Sequence, residues 1–267
     1  MSANPRDILR NPVKEKLARG EVVASMTARL VTGVEIVRIA KSAGFDSLYV
    51  DLEHSSFSME TTSQICIMAL EAGVPAFVRV PANTPEYISR VLDGGALGVI
   101  APGVRSAEEA RAVVAAAKYP PLGERGLSAA LPQLQFRSFS AAESIPAMND
   151  ATMVIVQFES KAALDAMEEI VAVEGVDLVL IGTNDMLVDL GIPGQYDHPK
   201  VRDAYERTIA ACRKRGKHVG VGGLGSRTDL MTQFVKMGAR YVSTGTDLAF
   251  LMAACTQRAK QVRDIEV

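Results

Sequence analysis

The stretch TMVIVQFESKAALDAMEEIVAVEGVDLVLIGT, residues 152–183, holds one complete unit of the architecture. Its two ends, TMVIVQFE (152–159) and LVLIGT (178–183), are rich in β-branched residues and apolar almost throughout rather than alternating. Strands of that kind are covered on both faces, as in a parallel sheet. A helical pattern opening near Lys161 lies between them, so the unit reads strand, helix, strand. The same rhythm extends outward in both directions. EVVASMTA (21–28), SLYVDLE (47–53), PAFVRVP (75–81) and LGVIAPGV (97–104) come before it, and HVGVGG (218–223) and YVSTGT (241–246) come after it. Helix starts are visible as well: Thr84 is placed to cap a helix opening at Pro85, and SAEE (106–109) reads as a capping box. Eight strands alternating with helices predict a (β/α)8 TIM barrel occupying residues 1–267 as one domain. A doubly wound sheet carries its glycine fingerprint after the first strand, where this chain has TARLVTG. One irregular segment, 118–150, interrupts the rhythm, and such an insertion is expected to be a lid or a subunit contact.

Composition narrows the function classes. The chain has 267 residues, 48% of them hydrophobic, and Lys plus Arg number 29 against 31 Asp plus Glu. No basic block appears, which argues against a nucleic-acid partner. No window approaches about 18 uninterrupted apolar residues, and the first twenty lack a signal-peptide core, so no membrane partner and a cytoplasmic location are expected. Cys66, Cys212 and Cys255 are scattered without metal-type spacing and read as free thiols.

In a barrel of this type the chemistry sits where the strands end. Strand two ends in Asp51, Glu53 and His54, strand three in Arg79, strand five in Gln157 and Glu159, and strand six is followed by Asn184 and Asp185. Glu159 and Asp185 are two carboxylates on neighbouring strands. Such a pair is unfavourable unless a proton or a cation sits between them, and an all-oxygen ligand set suits Mg2+ or Mn2+, with Co2+ a further candidate. His54 beside two acids is placed for acid/base work, its rival reading being a structural histidine. Arg79 after an apolar run meets an anion at the barrel mouth or forms an internal ion pair. GVGGLG (220–225) matches GxGxxG but lies after strand seven, so it reads as a turn rather than a nicotinamide site. No lysine of this chain is placed in the barrel mouth for a Schiff base.

Taken in order, GFDSLYVDLEHSSFS, VRVPANTPEYISRVLDGGA, YPPLGERG, VQFES and VEGVDLVLIGTNDM resemble the metal-dependent class II pyruvate aldolases of the HpcH/HpaI family and span nearly the whole chain. The resemblance implies a barrel of the phosphoenolpyruvate/pyruvate-binding type, commonly a homohexamer whose last helix packs on a neighbour. It implies pyruvate and an aldehyde as small-molecule partners and a divalent metal as cofactor. By position, Glu159 and Asp185 are implied as metal ligands, His54 as the proton acceptor and Arg79 as the group facing the enolate oxygen. Gln157 and the backbone at Asn184 and Asp185 are implied to hold pyruvate. Asp93, in RVLDGG, matches the acid that raises the basicity of the histidine. It ends a helix at the wrong face of its own barrel, so it could act only on a neighbouring subunit. Asp51 is the local competitor for that role. The expected reaction is reversible aldol addition and cleavage of 4-hydroxy-2-oxo acids. Oxaloacetate decarboxylation, acyl-CoA lysis and a non-catalytic barrel are the competing readings. GTND replaces the usual Gly-Pro-Ala-Asp, and this departure leaves the aldehyde partner open.

Overall fold

A computed structural model describes residues 4–266. Eight parallel strands close into a barrel in chain order: β1 Val23–Ala28, β2 Ser47–Asp51, β3 Ala76–Arg79, β4 Gly98–Ala101, β5 Met153–Phe158, β6 Leu178–Gly182, β7 His218–Gly222 and β8 Tyr241–Thr246. The (β/α)8 expectation is met, and each strand falls inside its apolar run. The runs overshoot several strands at their C-terminal ends because the chain stays apolar after strand pairing stops, as at Pro102 to Val104.

Although the strands do not alternate in polarity, they alternate in partner. Val50, Val78, Val99, Val154, Val156, Val179 and Val221 pack outward against the helices. Tyr49, Phe77, Ile100, Ile155, Leu180 and Tyr241 fill the barrel. Side chains two residues apart point the same way along a strand. The positions two beyond Tyr49, Phe77, Ile155, Leu180 and Tyr241 therefore also face inward, one layer higher: Asp51, Arg79, Gln157, Gly182 and Ser243. The pairing register sets Asp51 directly beside Arg79.

The opposite end is plugged by the helix Pro12–Ala18, whose Val13 and Leu17 are buried among the barrel-filling residues. Lys16 bonds Asp46 at 2.6 Å, and Lys14 reaches Asp177 at 2.9 Å, both just before strand starts. The 118–150 segment also belongs to this end. It runs between the helix Ala107–Ala117 and β5, includes the helix Ala141–Ala151, and is tied through Gln133 Nε2 to the Leu92 and Ala96 carbonyls. A lid over the catalytic mouth of its own barrel is therefore excluded, because a helix-to-strand connection returns to the N-terminal face. The expected capping box is also corrected. Ser106 Oγ accepts from the Glu109 amide at 3.1 Å, but Glu109 reaches back to the Arg105 amide at 2.6 Å, one residue beyond the cap. Thr84 does precede Pro85 as the helix cap, though its side chain makes no capping bond. Cys66 and Cys212 are buried free thiols, and Cys255 is exposed.

Candidate active site

The last residues of five strands, Asp51, Arg79, Gly182, Gly222 and Thr246, line one cavity of about 310 Å³. A larger hollow of about 470 Å³ lies at the opposite end, where its Arg10 and Glu15 bond each other at 2.8 and 2.9 Å. The smaller cavity gathers more of the titratable side chains, among them Arg29, Asp51, His54, Arg79 and Asp185.

One half of the site is an ion network. Arg79 Nε and Nη2 donate to Asp51 Oδ1 and Oδ2 at 2.9 and 2.7 Å, and Nη1 lies 2.8 Å from Glu53 Oε2. Arg79 is 8% exposed and Asp51 1%, so a single unpaired charge here would be costly. Burial works to raise the Asp51 carboxyl, but the hydrogen bonds and charge of Arg79 outweigh it and hold the group below its ordinary value. Asp51 Oδ1 also accepts the Glu53 and His54 amides at 3.1 and 3.2 Å, which shapes the turn after β2. Arg79 thus forms an ion pair with Asp51 and a second with Glu53. A guanidinium carries five N–H groups, so two remain for a ligand.

The His54 ring is half exposed on the cavity wall, and its Nε2 lies 3.7 Å from Glu53 Oε2. Asp51 holds the backbone of this loop, and among the described residues no hydrogen bond joins its side chain to the imidazole. Asp93 ends the helix Pro85–Asp93 at the N-terminal side of β4, where it accepts from Arg125 Nη2 at 2.6 Å. Within one chain it lies at the opposite end of the barrel from His54.

The other half is uncompensated. Glu159, just past β5, accepts the Gly103 amide at 2.9 Å. Burial and the nearby Asp185 charge push its carboxyl up to about 7, against the lowering effect of Gly103 and Arg79. Asp185 sits exposed in the first turn of the helix Thr183–Asp189, and Asn184 Oδ1 accepts from Tyr196 at 2.7 Å. Gln157 is buried with its Oε1 unpartnered. Gly182 makes room for all of this: a Cβ there would lie 2.6 Å from Glu159 Oε1 and 2.9 Å from Gln157 Nε2.

Three observations fit a hard divalent ion: a carboxyl driven toward neutrality by burial and a neighbouring acid, carboxylate donors that are all oxygen, and a space kept free by Gly182. Among the described residues no three His, Cys, Asp or Glu side chains converge as a ready cage. Two such ligands would leave coordination positions open on an ion held there.

GVGGLG behaves as the turn expected of it. Gly223 adopts φ +76° as β7 ends, and the Gly222 carbonyl accepts from Thr183 Oγ1 at 2.7 Å. Sequence reasoning missed Tyr49, Arg29 and Gly182 on the cavity wall. Arg29 had the same signal as Arg79, an arginine directly after an apolar strand. Among the described residues no helix is long and apolar enough to cross a membrane.

The HpcH/HpaI aldolase/citrate lyase family profile matches residues 32–254. A 4-hydroxy-4-methyl-2-oxoglutarate aldolase of Chaetomium globosum is 34% identical over 259 residues, covering 96% of each chain. A 2-keto-3-deoxy-L-rhamnonate aldolase of Escherichia coli is 36% identical over 252 residues, 94% of this chain and 92% of that one. The crystal structure of an HpcH/HpaI aldolase from Desulfitobacterium hafniense superposes with a TM-score of 0.90 at 35% identity, over 95% of this chain and 97% of that one. Barrel, cavity and these full-length likenesses agree: the chain belongs to the HpcH/HpaI aldolase/citrate lyase family.

Proposed function

We propose that the protein is a divalent-metal-dependent pyruvate aldolase, a carbon–carbon lyase that cleaves 4-hydroxy-2-oxo acids to pyruvate and a carbonyl compound and runs the reverse addition. The observation that carries this reading is the Glu159 carboxyl, pushed up to about 7 beside Asp185 at the end of a barrel whose relatives are aldolases. Glu159 and Asp185 would hold Mg2+ or Mn2+, and the ion would supply Lewis-acid polarisation of the 2-oxo group. The protein's own groups account for the remaining work. The two free N–H groups of Arg79 face the oxygen on which charge develops, already aimed by the Asp51 and Glu53 carboxylates. Gln157 and the backbone at Asn184 and Asp185 hold the pyruvate carboxylate end. His54 removes the 4-hydroxyl proton as the C3–C4 bond breaks; the electron pair of that bond passes to C3 of the departing pyruvate fragment, which is then protonated.

A homo-oligomer is part of the reading. The helix Asp247–Arg263 presents Leu248, Phe250, Leu251 and Met252 to solvent, exposed apolar side chains that fit a neighbouring copy. In a hexamer built through it, Asp93 of one copy would serve His54 of the next. The buried free thiols fit a reducing cytoplasm.

The test follows pyruvate release from a racemic 4-hydroxy-2-oxo acid by coupled reduction, with and without chelator, alongside an oxaloacetate arm. Metal-restored release is expected. Full pyruvate release by a chelator-treated sample, or turnover of oxaloacetate alone, would overturn the reading.

A further inference from the structure

The cavity rim carries a second arginine to which the roles above give no work. Arg29 directly follows β1 and lines the cavity together with His54 and Asp185. The backbone there is fixed: the Arg29, Leu30 and Val31 amides donate to the Asp247 carboxylate at 3.1, 3.0 and 2.8 Å. Asp247 is itself buried, so the base of the arginine is anchored by charge-assisted bonds to an immobile group. The half-buried side chain then crosses to the loop after β2, where Nη2 donates to the His54 carbonyl at 2.8 Å.

That carbonyl is neutral, and no carboxylate pairs with Arg29 among the described residues. Arg79 has its three nitrogens on Asp51 and Glu53; Arg29 brings an uncompensated charge and a free fork of N–H groups to the same cavity. Gly223, Gly225 and Gly245 contribute much of the wall on the β7 and β8 side, with the small side chains of Ser243, Thr246 and Ala249 beside them. The planar fork matches a carboxylate, and with one such arginine here the site suits a single carboxylate rather than a phosphate.

Resting on the aldolase reading, we propose that Arg29 binds a second carboxylate, carried on the same carbon as the hydroxyl served by His54. Arg29 grips the residue that handles that hydroxyl, which places the second anion beside it. The carbonyl partner is then itself a 2-oxo acid, and the cleavage substrates are branched 4-hydroxy-2-oxo dicarboxylic acids. Arg29 decides partner specificity and takes no part in forming the pyruvate nucleophile.

Two unreactive probes test binding without turnover. 2-Oxoglutarate carries the second carboxylate on C4 and 2-oxopentanoate lacks it. Calorimetry in Mg2+ should show wild-type protein preferring 2-oxoglutarate by roughly 10- to 100-fold, the size expected of a charge-assisted contact. Arg29→Met should bring that ratio to about one, and Arg29→Lys, which keeps the charge but loses the fork, should retain part of it. In turnover, the kcat/KM ratio for addition of pyruvate to pyruvate over addition to acetaldehyde should fall by the same factor. An unchanged ratio in both variants makes Arg29 a brace for the His54 loop and overturns the proposal, as does a wild type without preference. Preference without aldol formation upholds Arg29 and refutes the aldolase reading; aldol formation without preference does the reverse.

Discussion

Replacing Glu159 with glutamine separates the two tasks of this site, because it removes a charge that the fold resists while keeping the acceptor for the Gly103 amide. In the metal-free protein the carboxyl titrates near 7 rather than at its ordinary 4.5. The folded state therefore binds a proton more tightly than the unfolded chain does. The stability contributed by that proton is complete below about pH 4.5 and is lost as pH rises to about 7. At 1.36 kcal/mol per pH unit the full loss is about 3 kcal/mol, and partial solvent access reduces it to about 2–3 kcal/mol. In chelator, Glu159→Gln should match wild type near pH 4.5 and exceed its stability above pH 8, by roughly 5–10 °C in Tm for a chain of this size. Adding Mg2+ or Mn2+ should stabilise the wild type by about 2.7 kcal/mol at a hundredfold excess over Kd, raising its Tm, and should leave the variant unmoved and inactive. The measurement is calorimetry across pH 4.5 to 8.5 with and without metal. A variant that is destabilised at all pH values, or a metal effect equal in both proteins, would show that Glu159 is not the strained carboxylate of a cation site.

Further outcomes follow from the same geometry. Gly182→Ala should keep its circular dichroism but lose on the order of 100-fold in activity, because the added Cβ displaces both Glu159 Oε1 and Gln157 Nε2. Asp51→Asn should cost about 3–5 kcal/mol in denaturant unfolding, since it leaves Arg79 with only Glu53 in a buried position. Because the Asp51 carboxyl is held below its ordinary value, its contribution is present at neutral pH and fades as pH falls through the acidic range, so the wild-type advantage over this variant should shrink there. Leu251→Glu combined with Met252→Glu, both exposed in the single chain, should reduce the mass seen by light scattering if that helix face joins copies.

The barrel was legible because its strands are covered on both faces, so each appears as an apolar run. Which carboxylate meets which cation was not, because pairing depends on register: Asp51 and Arg79 meet through alignment of β2 with β3, and neither segment states its partner. Listing polar residues at strand ends found Asp51, Glu53, His54, Arg79, Gln157, Glu159 and Asp185 near the mouth. The same rule applied to β1 finds Arg29, the arginine in TARLVTG that follows the strand. Gly182 left no signal of its own; its importance lies in the atoms that a methyl group would strike. The face occupied by the 118–150 segment could have been read from chain order alone, since a segment between a helix and the next strand lies at the N-terminal end.

The division of charge at the mouth also explains how an arginine can be both structural and available. Asp51 and Glu53 compensate Arg79, so its orientation is fixed before any ligand arrives, and reorganisation is avoided when charge develops beside its two spare N–H groups. Glu159 has no such partner: burial and the nearby Asp185 charge push its carboxyl up to about 7, which works against the charged form in the fold. A sequence optimised for stability alone would replace one of them with an amide or an apolar group. Retaining both, with Gly182 keeping the space between Gln157 and Glu159 open, is a local conflict that binding would relieve. On the proposed reading, the compensated half would aim the chemistry, and the raised Glu159 carboxyl would supply free energy for capturing a cation.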